Sequence, residues 1–248
     1  MLSKLEQHRE TWKKKKILRD IYIAWYKEII GDLSPGKGKT IELGSGSGNF
    51  KEFKPDTISS DIEYCSWLDI VFDAHRIPFK ESSVQNIVMI DVLHHLADPV
   101  SYFEECLSAL DAGGRVVIIE PFPTLFSLFI YRRFHPEPFI MNVDLFKEKK
   151  SLSSVEQEVK KDPWDSNQAI AYLLFFKGKK KFREWFGNRF RVLKRKRISC
   201  ILYPGSGGFE NPSMIPSFLV PFFKVLEILC VPFRWLLAFR CYVVLEKK

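Results

Sequence analysis

The stretch Glu42-Leu43-Gly44-Ser45-Gly46-Ser47-Gly48-Asn49-Phe50 decides how this chain is read. It follows Lys39 to Leu43, which reads as a short strand, and Gly48 to Phe53 reads as the opening of a helix. Three alternate glycines between a strand and a helix let the backbone turn sharply and bring a ligand close to a helix N-terminus. The spacing is G-x-G-x-G. A dinucleotide fingerprint, G-x-G-x-x-G, needs glycine at position 49, where asparagine stands. Glu42, two residues before the first glycine, sharpens the point. A carboxylate there repels a pyrophosphate but suits a ligand carrying an ammonium group and a sulfonium centre. The electrostatics favour S-adenosylmethionine over a nicotinamide dinucleotide.

Outward from this loop, strand and helix signals alternate. Leu2 to Ile30 reads as one helix, ended by Gly31 and the Ser34-Pro35-Gly36 turn. Thr57 to Ile62 and Leu68 to Phe72 read as short strands, and Asn86 to Leu93 as a buried one. Asp98 caps a helix with Pro99 at its first position, running to Leu110. Gly113-Gly114 then turns the chain into the strand Arg115 to Glu120. Late strand signals at Phe190 to Leu202 and Ala238 to Glu246 suit an antiparallel pair at the sheet edge. The expected fold is α/β, a mostly parallel sheet with helices on both faces and an antiparallel edge. As a single domain the chain divides into an N-terminal helical segment (1–36), a cofactor-binding core (37–121), a variable substrate or lid region (122–190) and C-terminal strands with an apolar insertion (191–248).

Acidic residues fall at the ends of these strands. Asp61 ends the second strand, placed for the two hydroxyls of a ribose. Asp73-Ala74 follows the third, where a carboxylate and the next N–H can read an adenine edge. Asp91 ends the fourth, at the carboxyl edge where open α/β sheets bind ligands.

As a set, ELGSGSGNF, the acid in SSDIE, DAHRIPF, IDVLHHLADP and LDAGGRVVIIEP resemble the class I S-adenosylmethionine-dependent methyltransferases. Within that class the likeness is to the small-molecule group related to the ubiquinone and menaquinone enzymes. The resemblance covers roughly a third of the chain, from Glu42 to Pro121. It implies a Rossmann-like fold, with Glu42, Gly44, Gly46 and Gly48 lining the methionine and ribose side. Asp61 would hold the ribose, although Glu63 leaves open which acid does so, and Asp73 and Ala74 would hold the adenine. It does not reach the region from Pro121 to about Phe190, so the acceptor stays unnamed.

Methyl transfer is an in-line displacement that positioning can largely accomplish, with a general base where an oxygen or carbon attacks. The candidates are His94 and His135, with Glu120 also in reach of the sheet edge. The alternative for His94 is a hydrogen-bonded histidine shaping the pocket wall; His95 points into packing. In the variable region Trp164, Asp165, Asn167 and Gln168 open a helix that is either a lid over an acceptor pocket or plain scaffold. No cluster has metal-ligand spacing. The five scattered cysteines read as reduced thiols of a cytoplasmic protein, and the polar, basic N-terminus is no secretory signal.

The 248 residues carry a net charge of +8 and 22 phenylalanines, more apolar surface than a compact core requires and a charge that favours an anionic partner. Lys177 to Arg197 holds eleven Lys or Arg against one acid, Glu184. Met214 to Phe239 is apolar but interrupted by Lys224, Glu227, Arg234 and three prolines, a poor transmembrane helix. It reads either as an interface-lying segment at the inner face of a membrane, with the basic run on anionic headgroups, or as core-packing helices. The leading expectation is methyl transfer to a small or lipid-linked acceptor, quinone-like, polyprenyl-linked or a glycan precursor. The rival is a non-catalytic cofactor- or nucleic-acid-binding module on the same fold.

Overall fold

The computed structural model describes residues 2–134, 137–146 and 166–248. The chain opens with two helices, α1 (Lys4–Lys14) and α2 (Lys16–Asp32), where the periodicity predicts one. The break is at Lys15, whose ammonium reaches the carbonyls of Gly208 and Asn211, both at 2.5 Å. The backbone leaves the helical region there, with Lys15 at φ −95° and ψ 85°, and Trp12 of α1 packs on Tyr22 and Tyr26 of α2. Ser3 caps α1 in a capping box with Glu6, which satisfies two orphan N–H groups reciprocally.

Strands β1 (Lys39–Leu43), β2 (Ile58–Asp61), β3 (Ile70–Val71) and β4 (Val84–Ile90) follow, then α3 (Pro99–Ala109) and β5 (Leu110–Pro121). The helix expected after the glycine loop is only a 3-10 turn, Phe50–Glu52. Pro55 and the start of β2 at Ile58 leave no length for more. Asp98 caps α3 as expected, its carboxylate accepting the Ser101 N–H at 2.9 Å. Gly113-Gly114 is not the turn before the strand but lies within β5, where the register against β4 shifts.

Beyond β5 come α4 (Leu125–Phe134) and α5 (Ile170–Tyr172), the latter running into a π turn at Leu173–Lys177. The chain continues through α6 (Lys179–Phe186), β6 (Phe190–Ile198), α7 (Leu202–Ser206), α8 (Val220–Leu229), α9 (Arg234–Leu237) and β7 (Arg240–Lys247). The sheet order is β3-β2-β1-β4-β5-β7-β6. The first five strands in that order pair in parallel, while β7 pairs antiparallel with both β5 and β6. This is the Rossmann-like, mostly parallel sheet with an antiparallel edge.

The strands bury alternate residues on two faces, as a period of two requires. Ile87 and Met89 of β4, Val116 and Ile118 of β5 and Val243 of β7 pack with α3, α5 and α6. Val88, Val117, Ile119, Tyr242 and Val244 pack with α2 and the 202–223 region on the other face. Both faces are therefore covered, and the carboxyl ends of β1, β2, β4 and β5 are left as the edge on which a site forms.

Candidate active site

The glycine loop is built as its sequence demands. Gly44, Gly46 and Gly48 have φ of 61°, 52° and 73°, the left-handed region that other residues avoid. A Cβ on Gly44 would lie 2.3 Å from Val92 Cγ2. The loop is locked to β2: the Ser45 N–H donates to the Ser60 carbonyl at 2.8 Å, and Ser60 N–H donates to Ser45 Oγ at 3.0 Å. Asp61, expected to hold a ribose, accepts the Gly46 N–H at 2.9 Å on one oxygen and the Glu63 N–H at 3.2 Å on the other. It orders the loop and stands beside it.

Glu42 is buried near the end of β1, and its Oε2 has no hydrogen-bond partner among the described residues. Burial pushes its carboxyl up to about 8, with Ser45 opposing and the Asp61 charge adding to the rise. A buried carboxyl with a vacant lone pair beside a glycine cradle is matched by a cation. Asp73 sits where expected, after β3, and its Oδ1 meets His75 Nδ1 at 2.8 Å and the His75 N–H at 2.9 Å. His75 Nε2 in turn accepts the Asp98 N–H at 3.2 Å, so it is Nδ1 that carries the proton toward Asp73. Ala74 lies beside it, partly buried.

Asp91 takes a φ of 60°, a strained conformation for a non-glycine residue at the end of β4. Its carboxylate pairs with Arg240 of β7, and that guanidinium also reaches the Tyr203 hydroxyl and lies 4.2 Å over its ring. Asp91 is thus committed to a protein cation, while Glu42 is not.

His94 is buried on a 3-10 turn, Leu93–His95. Its Nδ1 meets Glu120 Oε2 at 2.6 Å, and its Nε2 faces Glu137 Oε2 at 3.5 Å. Glu120 is fully buried, and its Oε1 accepts the N–H groups of Val92 at 2.8 Å and Leu93 at 2.6 Å. Burial alone would lower the imidazole pKa, but the two carboxylates outweigh it and lift His94 to about 9. Glu137 is held well below the usual carboxylate range: burial opposes this, and His94, Ser166 and Gln168 overcome it.

Glu137 has no signal in the sequence beyond a carboxylate between two prolines. Ser166, whose hydroxyl donates to Glu137 at 2.6 Å, and Gln168, expected in a lid, are its clamps, while Asn167, expected there too, ties the same stretch to His94. Asn167 donates its N–H to the His94 carbonyl at 2.9 Å and accepts the Ile140 N–H at 2.8 Å. Gln168 Nε2 donates to Glu137 at 3.1 Å. His135, Trp164 and Asp165 lie outside the described residues.

His94, His95 and Glu137 bring ligand atoms within 4.8 Å of one another, as do Asp91, His94 and Glu120. His94 is common to both groups. Between two carboxylates His94 is held protonated, so a metal would have to displace a proton to gain its lone pair.

Residues 41–118 match the model of the methyltransferase domain family. The chain carries a methyltransferase domain. The cofactor of such a domain is S-adenosylmethionine, and the residues fit it: Glu42 offers a buried carboxyl that an ammonium would match, the glycine cradle admits close approach, Asp61 ends β2 and Asp73 follows β3. The fold of the methyltransferase domain is shared with a SAM-dependent methyltransferase from Archaeoglobus fulgidus, 18% identical, with 96% of this chain and 97% of that one covered at a TM-score of 0.54. A possible histamine N-methyltransferase from Thermotoga maritima is 13% identical over 96% and 94% of the two chains, TM-score 0.49. The geranyl diphosphate C-methyltransferase of Streptomyces coelicolor is 12% identical over 96% and 84%, TM-score 0.48. No curated protein matches the chain.

Proposed function

We propose that this enzyme transfers the methyl group of S-adenosylmethionine to a small or lipid-linked acceptor bound against His94, in the manner of the ubiquinone and menaquinone group its sequence resembles. The observation that carries the reading is the Glu120–His94–Glu137 array, its first two members buried and the third half-buried, at the same sheet edge as Glu42. Glu42 holds the cofactor ammonium, the glycine loop its backbone-facing side, Asp61 the ribose, and Asp73 with Ala74 the adenine. Asp91 holds Arg240 and so shapes the floor between cofactor and acceptor.

At rest His94 is an imidazolium paired with Glu137. An acceptor hydroxyl that takes the place of Glu137 at Nε2 removes one of the two carboxylates that keep the ring protonated. The ring gives its Nε2 proton to water as Glu137 leaves, and the neutral imidazole, oriented by Glu120 through Nδ1, then accepts the acceptor proton as the methyl is transferred. Glu137 is the gate of this step, and its clamps Ser166 and Gln168 set how readily it leaves.

The exposed apolar surface of the C-terminal insertion supports a lipid-linked acceptor and a cytoplasmic enzyme lying peripherally at the inner face of a membrane. Nucleic acid is the poorer partner, because the basic run 177–197 is largely spent within the fold. Arg189 pairs with Glu104, Arg191 with Glu246, Lys194 with Asp32 and Lys196 with Glu28. The same pairing removes that run as the headgroup-binding strip expected from its charge.

The test is transfer of isotope-labelled methyl from S-adenosylmethionine to a lipid extract. Labelled lipid product with the native protein, and none with His94→Gln, supports the proposal. No labelled lipid or water-soluble product, from protein that binds the cofactor, overturns it.

A further inference from the structure

The segment 214–239 is built the wrong way round for a helix hairpin in water. Its three charged residues are Lys224, Glu227 and Arg234. Glu227 turns inward, where its carboxylate accepts the N–H groups of Cys200 and Ile201 at 2.7 Å and of Leu202 at 3.0 Å, capping the start of α7. Lys224 reaches back to Asp20 on α2 at 2.9 Å, and Arg234 is turned to Cys200. The outward face is what remains. Phe218 is 80% exposed, Phe222 58%, Ile228 68% and Trp235 62%. A surface helix in water presents its polar side outward, so this inversion asks for an apolar neighbour.

The first turns of α4 extend the same surface, since α4 packs against α9. Phe129 is 68% exposed there. One turn further along α4 stand Arg132 and Arg133, exposed and without an ion pair among the described residues. An apolar end followed along the helix by free cations is the layering of a lipid monolayer, acyl chains first and anionic headgroups above. No described helix is long and apolar enough to cross a membrane. Prolines at 216, 221 and 232 divide the segment into short pieces.

We propose that α8, α9 and the start of α4 form a monotopic docking face that inserts into one leaflet of an anionic bilayer, with Arg132 and Arg133 on the headgroups. This gives a definite surface to the peripheral position proposed above, on which it rests. It also explains why the core leaves so many aromatics outside: their burial is completed by lipid.

Flotation with vesicles tests it, using phosphatidylcholine alone and phosphatidylcholine with phosphatidylglycerol. S-adenosylhomocysteine binding is measured alongside as the control for folding and for the methyltransferase reading. The native protein is expected to float with the anionic vesicles and much less with the neutral ones. Phe222→Asp with Ile228→Asp abolishes flotation while cofactor binding is kept. Arg132→Ala with Arg133→Ala weakens partition into anionic vesicles roughly 30-fold, as expected for two cations near such a surface. Flotation without cofactor binding would support the face while removing the reaction. Native protein that binds cofactor but floats with neither vesicle overturns the face. So does a two-chain mass in light scattering that falls to one chain in the α8 variant without flotation, since a second copy then covers the surface.

Discussion

Glu42 and His94 stand at the same edge of one sheet, both buried and both titratable, yet their surroundings are opposite. On the cofactor side Glu42 is a carboxyl with no cation paired to it among the described residues, and burial lifts it to about 8. On the acceptor side His94 is a cation with two carboxylates, and is lifted to about 9. One region is incomplete until a positively charged ligand arrives. The other is internally compensated and must be broken open before it can act. In the function proposed above, the difference gives the two regions their roles: a site poised to bind, and a site held closed by its own residue.

The comparison breaks most sharply at His94. Replacing it with Ala is expected to lower kcat by about 100- to 10,000-fold, the usual worth of a positioned general base, with little change in cofactor affinity. Parallel loss of cofactor binding in a titration would mean that the two regions are not separate. Asp91→Ala tests the partition from the structural side. Arg240 is nearly fully buried, and leaving it without its carboxylate is expected to cost about 3–5 kcal/mol in denaturant unfolding. An unchanged unfolding midpoint would contradict the assignment of Asp91 to the scaffold.

Next comes Glu42→Gln, which keeps the shape and removes the charge. A charge-assisted bond is worth about 1.5–3 kcal/mol, so cofactor affinity is expected to fall about 10- to 100-fold. The smallest effect is a pH dependence. Without cofactor Glu42 is protonated below about 8, and the ammonium requires the carboxylate. Affinity should therefore rise with pH up to about 8 and level off, by at most about tenfold per unit. Because the raised pKa disfavours the charged form, the cofactor-free protein should lose stability as pH climbs from the ordinary carboxylate range through about 8. Glu42→Gln removes both trends. For His94 the direction is the same in a higher window: its contribution is full below the ordinary histidine pKa and is lost as pH rises through about 9.

The cofactor region was legible in the sequence because its signals are local. A continuous apolar run marks β4, three alternate glycines fix the loop, and Asp98-Pro99 marks the start of α3. The acids at the strand ends fell where those strands put them. On the acceptor side His94 and Glu120 carried a signal, but their pairing and the partner Glu137 did not, because such partners meet across longer stretches of chain. Arg240 lies 149 residues from Asp91, and Glu120 is 26 from His94. The split between α1 and α2 was hidden too, and the Lys15 at the break is held by carbonyls 193 and 196 residues away. The apolar insertion showed its composition but not its direction. Only the inward turn of Glu227 reveals which face is left for a partner.

The most direct test of the account is calorimetric titration with S-adenosylhomocysteine of the native protein and Glu42→Gln, each at pH 7 and pH 8.5. The account predicts binding by the native protein that tightens at the higher pH, and weak, pH-independent binding by the variant. Equal affinities for the two proteins at both pH values, or no binding by folded native protein, would contradict it.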